Sequence, residues 1–173
     1  MRKIAIIGSG GSGKSTLARA LGERLQIDVY HLDALFWKPN WEGVPKEEQR
    51  DVQLNIVSKD EWICDGNYGG TMEIRLDAAD TVIFLDLPRA LCTYRVFKRA
   101  VQYRNRTRPD MGEGCKERVS LTFLKWVWNY PKEKRPEILR RLNRLPEEKK
   151  VYHLTSKKAI ARFLTNIGSE ERV

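Results

Sequence analysis

The segment Gly8-Ser9-Gly10-Gly11-Ser12-Gly13-Lys14-Ser15-Thr16 constrains this chain more than any other. Gly8, four residues, then Gly13-Lys14-Ser15 spell GxxxxGK[ST] in full. A short apolar run, Lys3 to Ile7, precedes it and reads as a buried parallel strand. Leu17, Ala18, Ala20, Leu21 and Leu25 come next at helical spacing, so a helix opens at the loop. Strand, glycine-rich loop and helix together make a site. The glycines let the backbone wrap closely, successive N–H groups turn inward, and the helix N-terminus adds partial positive charge. An anion with several oxygens fits such a cradle. In a nucleoside triphosphate, expected to be ATP, Lys14 would reach the β- and γ-phosphates, Thr16 would donate to the α-phosphate, and the Ser15 hydroxyl would ligate Mg²⁺.

Charge points the same way. The chain has 173 residues and a net charge of +9. Residues 89–144 hold sixteen Lys/Arg against five Asp/Glu, a net of +11, which leaves −2 for the remainder. A near-neutral body with one basic third has a polyanion to hold or a solvated basic face. A nucleotide, a phosphorylated substrate and nucleic acid all qualify.

Several classes are excluded or disfavoured. The longest apolar stretches are about half the ~20 residues that a spanning helix needs. Met1-Arg2-Lys3 is followed by only four apolar residues before glycine, which does not read as a signal peptide. Cys64, Cys92 and Cys115 are odd in number and match no zinc or CxxC spacing, and His31 and His153 stand isolated. Thiols in a reducing cytoplasm are the expectation. The guanine-reading NKxD sequence is absent, and the chain is short for a motor or an AAA-type ATPase.

Beyond the loop, the chain resembles the nucleoside-monophosphate and small-metabolite kinases. Asp28 to Asp33 reads as a second strand ending in an acid. In shikimate and gluconate kinase-like proteins an acid near this position faces the phosphoryl acceptor, which implies that Asp33 accepts the acceptor's hydroxyl proton or binds it through a hydrogen bond; a loop-starting or helix-capping aspartate is the equal alternative. Glu61 to Tyr68 reads as a third strand whose Asp65-Gly66 resembles the adenylate kinase turn, where the aspartate holds Mg²⁺ through water. The adenylate kinase arginine after that turn is missing, with Arg75 as a substitute. Thr81 to Pro88 is a central strand, and Asp86 at its end rivals Asp65 for the metal.

Arg89 to Arg104 reads as a basic helix with Leu91, Tyr94, Val96, Phe97 and Val101 on its buried side. Arg95 and Arg99 lie four apart and share a face. The adenylate kinase resemblance places Arg99 on the transferring phosphate and Arg95 near the base or the phosphates. Arg104 to Gly114 has the composition of a mobile lid, and Arg104, Arg106 and Arg108 are the candidates to enter the site on closure, with the choice among them open. Leu121 to Pro131 interleaves aromatics with basic residues. It reads chiefly as a helix docking the lid onto the body, with base stacking as the alternative. Val151 to Leu154 is the last strand, and Ser156 and Lys157 fall in the loop that packs on adenine in the kinases.

The GSGGSGKS loop, the HLD…W stretch from His31 to Trp41, the DGNY turn, the FLDLP strand, the R-x-R-P-D-M lid and the W-x-W-x-Y helix together resemble the bacterial DNA topology modulation proteins, adenylate-kinase-like phosphate-loop proteins. The resemblance covers nearly the whole chain. The expected fold is α/β, a P-loop NTPase fold of the nucleoside-monophosphate/shikimate kinase type with five parallel strands, helices on both faces and a basic lid. One domain over 1–173 is expected, with lid and helical insertion at about 100–145. Three functional readings stand: a Mg²⁺-ATP-dependent phosphotransferase on a small molecule or nucleotide, a nucleic-acid-binding ATPase or regulator, and a nucleotide sensor without efficient turnover.

Overall fold

A computed structural model describes residues 1–170, with side chains described through residue 167. Five parallel strands form the central sheet: β1 (Lys3–Gly8), β2 (Val29–His31), β5 (Trp62–Asp65), β6 (Thr81–Leu85) and β7 (Lys150–Leu154), in the order β2-β5-β1-β6-β7. Two short antiparallel strands, β3 (Trp37–Lys38) and β4 (Glu42–Gly43), form a separate hairpin. The helices are α1 (Lys14–Leu25), α2 (Leu32–Phe36), α3 (Lys46–Val57), α4 (Met72–Ala78), α5 (Arg89–Gln102), α6 (Leu121–Glu133), α7 (Arg135–Leu142) and α8 (Lys157–Glu170).

The alternation of side chains along the strands explains the layering. Ile4 and Ile6 of β1 join Ile63, Ile83 and Leu85 beneath Leu17 and Leu21 of α1 and Phe163 and Ile167 of α8. Ala5 and Ile7 face the other way, with Val82 and Phe84, into a core completed by Trp62, Met72, Leu76, Tyr130 and Ile138. A sheet covered on both faces needs strands that are apolar throughout, which is why the β1 and β6 runs are nearly continuous.

Three expectations are corrected in detail. The second strand ends at His31, and Asp33 lies in the first turn of α2. The third strand stops at Asp65, before the Gly66 turn. On α5 the buried side is Cys92, Val96 and Ala100, whereas Tyr94, Phe97 and Val101 face solvent. Helix α6 packs on α5, with Val127 and Tyr130 buried. No helix among the described residues is long and apolar enough to cross a membrane. Cys64, Cys92 and Cys115 are free and buried, and burial pushes the Cys64 thiol up to about 12.

Candidate functional site

The phosphate loop joins β1 to α1 with positive φ at Gly8, Gly11 and Gly13. Gly13 is the N-cap of α1, with φ of 99°. Space also demands glycine at Gly11: a Cβ there would meet the Cys92 carbonyl oxygen and Val96. The Lys14 ammonium folds back to donate to the Ser9 carbonyl at 2.9 Å. Burial pushes its pKa down, against the pull of Asp33 and Asp65. The Ser9 and Ser12 hydroxyls are buried with no hydrogen-bond partner among the described residues. Buried polar atoms are ordinarily satisfied, so these two suit a loop shaped for a ligand.

At the strand ends, Ser15 Oγ donates to Asp65 Oδ2 at 2.9 Å. The other carboxylate oxygen, Asp65 Oδ1, pairs with His31 Nδ1. Parallel pairing of β2 with β5 sets His31 directly across from Asp65, and pairing of β1 with β5 sets Ile6 on its other side. The Asp65 hydrogen bond raises the His31 pKa above its usual range. Asp86 is otherwise engaged: Arg135 Nε donates to its Oδ2 at 2.7 Å, and His153 Nε2 lies 2.7 Å from the same oxygen.

Asp33 begins α2, where Oδ1 accepts a 2.7 Å hydrogen bond from the Tyr68 hydroxyl. Burial and the Asp33 charge both push the Tyr68 pKa upward, so the phenol keeps its proton. One turn beyond Asp33, Trp37 meets Trp41 edge to face, with ring centroids 5.8 Å apart.

The arginines come from α5 and from the arm beyond it. Arg95 Nη1 donates to the Gly11 and Ser12 carbonyls at 3.2 and 3.3 Å, bracing the outside of the loop. Arg99 is largely buried; desolvation and neighbouring Arg108 push its pKa down, and its Nε lacks a hydrogen-bond partner among the described residues. Arg108 Nε donates to Glu117 Oε2 at 2.5 Å and Nη1 to Asp110 Oδ2 at 2.9 Å. Burial opposes ionisation of Asp110, yet Arg108 holds its carboxyl below the usual range.

The arm is pinned over the site. Bridges Arg104↔Glu117 and Thr107↔Lys116 hold it together. Cys115 Sγ donates to the Lys38 carbonyl at 3.1 Å, and the Asn40 N–H donates to the Gly114 carbonyl at 3.3 Å. A Cβ on Gly112 would collide with the Trp37 carbonyl oxygen, so the arm backbone lies directly on the hairpin.

These elements enclose a cavity of about 870 Å³. Its lining includes the loop from Gly10 to Thr16, Asp33, Arg95, Arg99 and Arg108, and at another wall Arg19, Lys157, Ile160 and Leu164. Gly8 and Ser9 lie at the strand end behind the lining. Of the three lid arginines singled out in the sequence, Arg108 lines the cavity, whereas Arg104 and Arg106 face solvent; Arg118, further along the arm, lines the cavity as well. Ser156 is outside the lining; its hydroxyl accepts from the Ala159 N–H and caps α8. Arg75 is fully buried, donating to Gln53 and to the Gly66 carbonyl, so it grips no monophosphate. Sequence reasoning passes over His31, Tyr68, Trp37, Trp41, Asp110 and Glu117. The His31-to-Trp41 stretch and the arm motif contain four of these, but neither their partners nor their direction.

No protein-family model matches the chain, and no curated protein matches it in sequence. Solved structures do. A shikimate kinase from Acinetobacter baumannii in complex with shikimate is similar over all of this chain and 96% of its own, with a TM-score of 0.58 and 17% identity. A sugar kinase from Janibacter sp. HTCC2649 is similar over 95% of this chain and 93% of its own, with a TM-score of 0.53 and 16% identity. At these identities the likeness establishes the fold: a P-loop α/β fold of the shikimate and nucleoside kinase type.

Proposed function

We propose that the chain is a Mg²⁺-ATP-dependent phosphotransferase acting on a small molecule, built as a single domain with a lid and a helical insertion at about 100–145. The observation that carries this reading is one cavity lined by the phosphate loop, Asp33, Arg99 and Arg108, with Asp65 hydrogen-bonded to Ser15 at its base. An acid beside the loop under an arginine arm that excludes water suits transfer to a hydroxyl.

The chain's own residues divide the task. Loop amides and Lys14 bind the triphosphate. Arg99, with an unsatisfied Nε, stabilises charge on the γ-phosphoryl oxygens, and Arg95 braces the loop backbone. The Ser15 hydroxyl and Asp65 carboxylate are hard oxygen donors at the loop, which fits Mg²⁺. Bound there, the ion would supply positive charge against the triphosphate. Asp33 takes the proton of the acceptor hydroxyl, held in place by Tyr68. The arm excludes water.

The test is ADP release from Mg²⁺-ATP by wild type and Lys14→Met, alone and with pooled nucleotides, nucleosides, sugars and hydroxy acids. A rise with one pool, abolished by the substitution, is expected. Flat release from all pools despite ATP binding would leave a nucleotide sensor.

A second reading, a nucleic-acid-binding ATPase, is favoured by the outer face. There Arg89 lies over the Trp128 ring at 4.3 Å, and Tyr94, Phe97 and Trp128 are exposed on the basic segment. This reading expects DNA affinity that falls steeply with salt; undetectable or salt-insensitive binding excludes it.

A further inference from the structure

One wall of the cavity comes from neither the phosphate loop nor the arginine-bearing elements. Between residues 21 and 94 the chain contributes three lining residues, Asp33, Trp37 and Trp41, and none carries positive charge. Arg75, the candidate for the missing phosphate grip, is turned into the core. Arg95 and Arg99 belong to the phosphate-loop wall, Arg108 is engaged by Asp110 and Glu117, and Arg118 lines the cavity from the arm and not from this wall. A monophosphate or carboxylate entering here would meet the Asp33 carboxylate without an opposing cation from this wall, an arrangement that repels anions.

What the wall offers instead is aromatic surface, and its backbone is constrained to present it. Asn40 and Trp41 are successive non-glycine residues with φ of 62° and 64°. Left-handed backbone is rare for a bulky residue and persists only where its surroundings fix it. They do so here. Trp41 Nε1 donates to the Lys116 carbonyl at 2.9 Å, Asn40 is tied to Gly114, and Trp37 packs on the Trp41 edge. Both indoles stay half-buried. Such faces suit a nucleobase, which stacks, or the C–H face of a sugar.

We propose that the phosphoryl acceptor is an uncharged ring-bearing alcohol, a nucleoside or a sugar, whose ring packs on Trp37 and Trp41 while one hydroxyl meets Asp33. This rests on the phosphotransferase reading. The hydroxyl oxygen forms a bond to the γ-phosphorus of ATP as the bond from that phosphorus to the β–γ bridging oxygen breaks. ADP leaves with that electron pair. The hydroxyl proton passes to Asp33 Oδ2, because Oδ1 is taken by Tyr68, and the product is a phosphomonoester.

Two measurements separate this inference from the reading beneath it. The first is tryptophan fluorescence of the full chain saturated with Mg²⁺ and the non-hydrolysable ATP analogue AMP-PNP, titrated with adenosine, glucose, AMP and shikimate. Adenosine or glucose should change the signal with half-saturation at least about tenfold below AMP and shikimate. Trp37→Leu and Trp41→Leu should abolish the response, and Trp37→Phe and Trp41→Phe should retain it. A response to adenosine alone assigns a nucleoside, and one to glucose alone a sugar. The second is ADP release from ATP with the same four compounds. A preference for AMP or shikimate in either measurement, or no response to any compound, overturns the inference. A response to adenosine or glucose without ADP release overturns the phosphotransferase reading and leaves the aromatic site standing.

Discussion

Ser15 Oγ donates to Asp65 Oδ2 across 2.9 Å, joining the first turn of α1 to the end of β5. The contact exists because β5 lies directly beside β1, with Ile6 opposite Asp65, so both groups emerge at one edge of the loop. If the pair organises Mg²⁺, Ser15→Ala and Asp65→Asn should each lower kcat by about 10²-fold or more. Each should also raise the Mg²⁺ concentration needed for half-maximal rate. Asp86→Asn is the control: it removes the charge facing Arg135 and His153 and should lower stability while leaving the Mg²⁺ requirement alone. A Mg²⁺ titration of the three variants decides. An altered requirement in Asp86→Asn alone would reverse the assignment.

The pairing of Asp33 with Tyr68 separates base from positioner. Removing a general base typically slows turnover about 10²–10⁴-fold, and Asp33→Asn should fall in that range with the KM for ATP little changed. Tyr68→Phe keeps the carboxylate but frees its Oδ1, so the loss should be smaller and should appear in the acceptor KM as well as in kcat. Steady-state kinetics of both variants provide the check; equal losses would mean that Asp33 acts only through Tyr68.

His31 makes stability depend on pH. Its pKa is raised in the folded chain chiefly by the hydrogen bond to Asp65, against desolvation. A group whose folded pKa exceeds its unfolded value contributes stability that is fully present below the unfolded pKa, near 6.5, and is lost as pH rises through the folded one. Urea unfolding from pH 5 to 9 should therefore show wild type losing its advantage over His31→Gln as pH climbs above that value. A constant gap would show that the pair contributes no proton linkage.

Local signals are legible in the sequence and pairings across the sheet are not. The phosphate loop is contiguous, so motif and geometry coincide. The β1 and β6 runs announce themselves because strands buried on both faces are apolar throughout. Asp65 and Asp86 look alike for the same reason: each ends a strand beside β1. They differ in partners distant in sequence, since Arg135 and His153 reach Asp86 whereas Ser15 and His31 reach Asp65. Arg75 suits the missing phosphate grip by position, but α4 turns it toward Gln53 and Gly66. The α5 face misleads because Tyr94, Phe97 and Val101 are apolar by type yet exposed, whereas Cys92 and Val96 are the residues that meet the loop at Gly11.

Glu117 tests whether the arm is held closed by the same arginines that await the triphosphate. Its carboxylate accepts from Arg108 Nε at 2.5 Å and lies 3.8 Å from Arg99 Nε. Arg108 and Glu117 side chains are each 6% exposed. Glu117→Gln keeps the shape and removes the charge, leaving Arg108 with Asp110 and Arg99 without its acid in the arm. Removing one partner of a buried pair costs about 3–5 kcal/mol. Urea unfolding should show a loss approaching that range, with protease cutting favoured in the arm between Tyr103 and Val119. Saturating Mg²⁺-ATP should then recover much of the deficit, because phosphate oxygens would supply the charge that glutamate supplied. Measuring both stabilities with and without nucleotide isolates that coupling. A deficit unchanged by nucleotide would mean that Arg99 and Arg108 serve the arm alone, and the transition-state role assigned to Arg99 would fall with it.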